Sequence, residues 1–120
     1  MKLKDLYKPH PAIRSGSSLE EALAVFHREK ADFLVVVDGT TPAGILSSYD
    51  VLERTMEGAE PARIGVEAVM RPPLLLFDAA AEAEDAAKTM LAHKHWMAVV
   101  IEKGEYKGVV TAGVLLSGLL

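Results

Sequence analysis

The chain has no cysteine. That excludes disulfides and thiolate chemistry, fits a cytoplasmic setting, and leaves packing alone to hold the fold. Aromatic residues are scarce, with three Phe, three Tyr and one Trp in 120 residues, so the core must be largely aliphatic. No apolar run approaches the 18 or so residues of a membrane span, so no membrane association is expected. Positive charge is also short: 13 Lys and Arg face 17 Asp and Glu, for a net charge of -4. Nucleic acid binding rests on clustered cations and is not expected. The opening MKLKDLYKPHP has early lysines but no apolar stretch behind them, so it does not read as a secretory signal. Neither a Gly-x-Ser-x-Gly elbow nor a phosphate-binding P-loop occurs, and no nucleophile stands near a base, so no enzyme is expected.

What is present is a repeat. A shift of 64 positions aligns Pro9 with Pro73, Glu20 with Glu84, Ala22 with Ala86 and Lys30 with Lys94. The same shift superimposes Val35-Val36 on Val99-Val100, Gly44 on Gly108 and Leu52 on Leu116. The order of the matches, and both glycines falling after both valine-rich runs, indicate two copies of one unit. The boundaries read as 1–57 for the first copy, 58–65 for a linker and 66–120 for the second.

Each copy has one plan. Ala12 to Arg14 is a short extended segment. Ser18-Leu19-Glu20-Glu21 fits a capping box, with Ser18 as N-cap and Glu21 at the third helical position. Leu19, Ala22, Leu23 and Phe26 follow at the spacing of one helix stripe. Phe33 to Val37 is continuous, apolar and β-branched, which predicts a strand buried on both faces. A turn through Asp38-Gly39 and Thr40-Thr41-Pro42 precedes a strand from Ala43 to Leu46. Ser47 or Ser48 then caps a helix carrying Val51 and Leu52. The second copy repeats this at Leu74 to Phe77, Glu82 to Lys94, Met97 to Ile101, Tyr106 to Val110 and a helix from Ala112. Helical lead-ins stand ahead of each copy, at Leu3 to Leu6 and Val66 to Met70. The unit is strand-helix-strand-strand-helix, an α/β (α+β) arrangement of two βαββα repeats. Either copy alone is too small to bury its sheet, which predicts that the two pack as a pseudo-twofold pair.

The chemistry concentrates in GILSSYD, Gly44 to Asp50. Glycine admits a backbone or a flat ligand at close range. A hydroxyl at a strand end followed by a helix N-terminus offers N–H groups to an anion. A carboxylate three residues past the hydroxyl lies one helical turn on and can accept two hydrogen bonds from a vicinal diol. Phosphate joined to ribose presents both groups. The bland alternative needs no ligand: the serines cap the helix and Asp50 favours its first turn. The corresponding stretch GVVTAGV, Gly108 to Val114, keeps glycine and hydroxyl but has Val114 in place of the acid. Losing a charged hydrogen bond costs about 1.5–3 kcal/mol, or roughly tenfold to more than hundredfold in affinity. One competent site and one weak or vacant site are therefore expected. His93-x-His95 suggests a metal at first sight, but that spacing at a helix end predicts different faces and no third ligand stands out, so no metal site is expected. Trp96 reads as a packing residue.

FLVVVDGTTPAGILSSYDVL and the lead-in VEAVMRPP resemble the signature of the CBS domain, the family named after cystathionine β-synthase, whose members occur as tandem pairs called Bateman modules. The resemblance covers nearly the whole chain. The proline common in the family's middle strand is replaced here by Val35 and Val99. In pairs that bind adenosine ligands, the family's Gly-x-x-Ser/Thr-x-x-Asp segment holds phosphate and ribose. Gly44, Ser47 and Asp50 match it, and Thr111 matches the hydroxyl in the second copy. The resemblance also places adenine around Ile13, Val35 and Val36. Polyphosphate-binding members often carry a basic residue just before the middle strand, where this chain has Asp32 and Trp96.

The function implied is a regulatory module that senses an adenosine-containing ligand such as AMP, ADP, ATP or S-adenosylmethionine, mainly at the first-copy site. It would signal through a conformational or dimer change to an effector protein not identified by the sequence, with no required cofactor. The alternative is a structural dimerisation module with vestigial sites. A homodimer is expected under either reading, because the helix from Ala112 is apolar on more than one face.

Overall fold

The computed structural model describes residues 1–72 and 75–120, so Leu74, expected to open a strand, lies outside the described residues. Along the chain run β1 (Ala12–Arg14), α1 (Leu19–Glu29), β2 (Phe33–Asp38), β3 (Thr41–Ser47) and α2 (Ser48–Met56). The second series is β4 (Leu76–Asp78), α3 (Ala83–His93), β5 (Met97–Glu102), β6 (Glu105–Thr111) and α4 (Ala112–Leu119). The expected strand-helix-strand-strand-helix order occurs twice in a mixed α/β fold. Matching elements start 64 residues apart, from Ala12 and Leu76 to Ser48 and Ala112.

Local chemistry explains the boundaries. Ser18 Oγ accepts from the Glu21 N–H at 3.2 Å, and the Glu21 carboxylate accepts from the Ser18 N–H at 3.3 Å, which closes the expected capping box. Leu19 and Ala22 face the core, but Leu23 is 40% exposed, so the helix stripe is only partly covered. From Phe33 to Val37 every residue of β2 is buried, as a strand apolar on both faces requires. The hairpin is tighter than expected. Gly39, at a φ of 64°, and Thr40 make the turn, and β3 already begins at Thr41. Pro42 lies inside the strand because it sits where the register with β2 shifts between Val36 and Val37. A bulge is where a residue without an N–H costs the ladder least.

Each sheet has three strands, ordered β1-β2-β3 and β4-β5-β6. The first pair in each is parallel and the second antiparallel, so α1 and α3 are the crossovers that parallel pairing demands.

Packing divides the chain differently from the sequence copies at their leading segments. One compact unit is Pro11–Pro72, and the other is Met1–His10 together with Pro73–Leu120. In the first unit the 3₁₀ turn Val66–Ala68 buries Val66 against Leu19, Leu34 and Leu46. In the second, the 3₁₀ turn Leu3–Asp5 buries Leu3 against Ala83, Ala98 and Val110. Each lead-in then runs along the outer edge of the unit's last strand. Ile45 and Arg71 exchange both backbone hydrogen bonds, at 2.8 and 2.9 Å, and Lys8 and Val109 do the same at 2.9 Å each. The lead-ins are related by 63 positions (Leu3 and Val66, Lys8 and Arg71), one fewer than the rest of the repeat. Lys8 is therefore the structural counterpart of Arg71; Pro73, paired with Pro9 in the sequence, lies outside the described residues.

This contact also explains the two glycines. A Cβ on Gly44 would stand 2.7 Å from both the Arg71 carbonyl oxygen and the Met70 sulfur. One on Gly108 would collide with the Lys8 carbonyl and the Tyr7 ring. Of the two close approaches a glycine allows, the described one is another backbone. Replacing Gly108 by alanine should push the lead-in off β6 and cost about 1–3 kcal/mol, read as a lower urea midpoint. Gly16→Ala has no atom within 4 Å to meet and should leave the midpoint nearly unchanged.

Candidate functional site

The corner between β3 and α2 brings three of the expected site residues together. Ser47 is the N-cap of α2, and its hydroxyl accepts from the Asp50 N–H at 3.0 Å. This decides between the two candidate caps. The first turn then carries Asp50 back beside the strand end, with Gly44 on the strand itself. The side chain of Asp50 is only 9% exposed, and it is the buried charged residue of the described chain. A carboxylate so placed must be compensated, and its partner is one the sequence reading did not include.

That partner is Arg71. Its Nε donates to Asp50 Oδ2 and its Nη2 to Oδ1, both at 2.9 Å, the two-pronged geometry of a strong charged pair. The pair forms because the Arg71 backbone is pinned to Ile45, which sets its side chain beside the first turn of α2. The Arg71 guanidinium holds the Asp50 carboxyl below its ordinary value of 3.8; burial works the other way, and the Ser47 hydroxyl adds to the lowering. In contrast to the acid, the Arg71 side chain is 68% exposed. Around the pair lies a small cleft of about 160 Å³ lined by Asp50, Glu53, Arg54, Ala68, Val69 and Arg71. Pockets that enclose drug-sized ligands run from roughly 300 to 1,000 Å³, so this cleft is fit for a sugar or a phosphate group and not for a whole nucleotide.

The aliphatic positions fare differently. Ile13 pairs with Val36 in the parallel register, and both belong to the core cluster with Leu19 and Leu46. Val35 and Val36 are fully buried and Ile13 is 7% exposed. Their side chains are taken up by packing on both faces of β2, and the exposed edge that a base would touch is nearly absent.

In the second unit Thr111 caps α4, accepting from the Val114 N–H at 3.2 Å. The cap survives there without the acid. Beside it lies an open cleft of about 610 Å³ whose lining includes Lys8, Thr111, Gly113, Val114 and Ser117. A lysine and a valine line this cleft where the first unit has an arginine paired with an aspartate.

Two smaller expectations need correction. His93 and His95 do not diverge: their rings stack with centroids 6.2 Å apart, because the chain leaves α3 through Lys94 at a φ of 58°. Among the described residues no group of three or more His, Cys, Asp or Glu side chains could hold a metal ion. Trp96, expected to be a packing residue, is 61% exposed; it stands ahead of β5, at the position Asp32 holds ahead of β2.

The missed residue, Arg71, carried a faint signal, a cation ending the lead-in VEAVMR. Nothing local links it to an acid 21 positions earlier.

A family model for the CBS domain matches residues 3–57 and again 66–120. The chain belongs to the CBS domain family, as a tandem pair. No curated protein matches it by sequence. Among solved structures it is similar to the CBS domain of a bacterial CNNM/CorC family Mg2+ transporter in complex with ATP. There the identity is 20% and the TM-score 0.85, over 98% of this chain and 85% of the other. It is likewise similar to CBSX2 in complex with AMP, at 23% identity and a TM-score of 0.77, over 98% and 95% of the two chains. A third likeness is the CBS domain of a CBS domain containing membrane protein from Sphaerobacter thermophilus, at 21% identity and a TM-score of 0.84, over 100% and 88%. CBS domain pairs are regulatory modules rather than catalysts. No described helix is long and apolar enough to cross a membrane.

Because the folded-state carboxyl is held low, its contribution to stability is complete above the unfolded value of 3.8 and disappears as pH falls through the lower folded value. The gap in urea midpoint between wild type and Asp50→Asn should stay constant above about pH 5 and close progressively below it. Added salt should narrow it modestly, since Arg71 is largely solvated.

Proposed function

We propose that this CBS domain pair is a regulatory module that senses an adenosine-containing ligand, such as AMP, ADP, ATP or S-adenosylmethionine, mainly at the β3–α2 corner of the first unit. The observation that carries the reading is an ionised carboxylate on the first helical turn, three residues past a capping hydroxyl. Its counterpart in the second unit is Val114. Asp50 would take the ribose diol and Ser47 would lie towards the phosphate, with Gly44 setting the close backbone approach that positions the corner; Thr111 would support only a weaker second site. Ile13, Val35 and Val36 would meet adenine through their main chain, because their side chains belong to the core. The similar structures that hold ATP and AMP support the ligand class.

Signalling would be a shift of population. A ligand can bias an arrangement only by binding one arrangement better than another, and a partner protein would read the difference. A homodimer belongs to this reading. Leu52 and Met56 on α2 of one unit, and separately Leu91, Leu116 and Leu120 on and after α3 and α4 of the other, are large apolar side chains left exposed, and exposed apolar patches mark interaction sites. The cytoplasm is the setting proposed.

The same exposed leucines, together with an Asp50 already occupied by Arg71, favour a second reading: a dimerisation module whose sites are vestigial. Thermal unfolding in the presence of millimolar adenosine, AMP, ATP and S-adenosylmethionine separates the two. Ligand at a hundred times its Kd adds about 2.7 kcal/mol, a rise in Tm of about 10 °C for a domain of this size. That rise should vanish in Asp50→Ala. A melting point indifferent to all four compounds, with an unchanged elution volume on size exclusion, would leave the dimerisation reading standing alone.

A further inference from the structure

We propose that Arg71 is a phosphate-operated latch on Asp50, a specificity-determining residue that makes capture of the sugar conditional on negative charge in the ligand. The inference rests on the ligand-sensing reading above and says how that site chooses among adenosine compounds.

In the described state both oxygens of Asp50 accept from the Arg71 guanidinium at 2.9 Å. A neutral diol arriving alone must replace a charged, two-pronged pair with two bonds from uncharged hydroxyls, and that exchange is unfavourable. A ligand that brings a phosphate offers the guanidinium a second anion, also matched to its planar fork. Arg71 can then leave the carboxylate without losing a charged partner, and the diol takes the oxygens it vacates. The burial pattern suits such a movement. Asp50 is enclosed, with its side chain 9% exposed, whereas the Arg71 side chain is 68% exposed and, beyond its backbone bonds to Ile45, is held by the carboxylate it would leave. The neighbouring Arg54 donates to the Ala68 carbonyl at 3.4 Å, so Arg71 is the cation positioned to trade between carboxylate and phosphate.

The second unit shows that the fold does not need this pair. Its lead-in makes the same two backbone hydrogen bonds, through Lys8 and Val109, and its helix keeps the same cap on Val114. Yet the acid is a valine there and the guanidinium a lysine. Acid and arginine come together in one packed unit, and both are missing from the equivalent positions of the other. A pair dispensable to the architecture of its twin is better explained by what it does for a ligand.

Isothermal titration calorimetry of the full chain with adenosine and with AMP provides the test, run on wild type, Arg71→Gln and Asp50→Asn, with circular dichroism to verify folding. Wild type should bind AMP at least about tenfold more tightly than adenosine, the value of one hydrogen bond to a charged group. In Arg71→Gln adenosine should gain affinity several-fold and the preference for AMP should fall towards unity. A second measurement needs no variant: saturating inorganic phosphate should raise the affinity of wild type for adenosine, as two sites coupled through one latch must. If both ligands bind and Asp50→Asn abolishes both, but Arg71→Gln keeps the AMP preference and phosphate leaves adenosine binding unchanged, the latch is wrong and the sugar site stands. If neither ligand binds wild type or Arg71→Gln, or if Asp50→Asn binds as wild type does, the site reading and the latch fall together.

Discussion

Two backbones meeting at a glycine hold this corner of the protein in place. Gly44 has no Cβ, so the chain at Met70 and Arg71 can press against β3 and exchange two hydrogen bonds with Ile45. That contact adds a bridged pair at the edge of a three-stranded sheet and covers part of an edge that would otherwise be open. It also fixes where the Arg71 side chain begins, and from there a bidentate pair with Asp50 is within reach. The ionisation of Asp50, its burial and the small cleft around it all follow. A side chain at position 44 would disturb the lead-in first and the charged pair next.

The duplication makes the consequences visible, because the molecule carries its own comparison. Gly108 admits Lys8 as Gly44 admits Arg71, and the backbone geometry is retained. What differs is the chemistry mounted on it. In one unit a carboxylate is enclosed and compensated; in the other a hydroxyl caps a helix beside an aliphatic side chain. The scaffold tolerates both, as a fold separable from the site it carries should. Under the proposed ligand-sensing reading, function would depend on which corner retains its charged groups, and the two units differ in this respect at positions 50 and 114.

Several of the expected site residues also have a structural role that needs no ligand. Gly44 needs no ligand to explain it, since a neighbouring main chain fills the space. Val35 and Val36 are spent on packing. Ser47 performs the capping role that the bland reading assigned to it. Asp50 goes beyond that reading: a first-turn acid needs only an exposed position to favour a helix, whereas this one is buried and bound to an arginine. It is the residue on which ligand sensing and mere architecture make different demands.

The sequence by itself determined the duplicated strand-helix-strand-strand-helix order, the capping box at Ser18, the two-faced burial of β2 and the loss of the acid in the second copy. Periodicity, caps and β-branched runs are local, and each copy states them independently, so a one-dimensional reading suffices. Tertiary structure alone decided that each lead-in joins the unit built on the other copy, that its register slips from 64 to 63 positions, that Pro42 sits at a bulge, and that Arg71 reaches Asp50. These depend on backbone segments that are distant in sequence approaching within hydrogen-bond range, and residue spacing encodes no such distance. Local rules wrote the elements; a long-range contact through a glycine chose the partner of the buried Asp50.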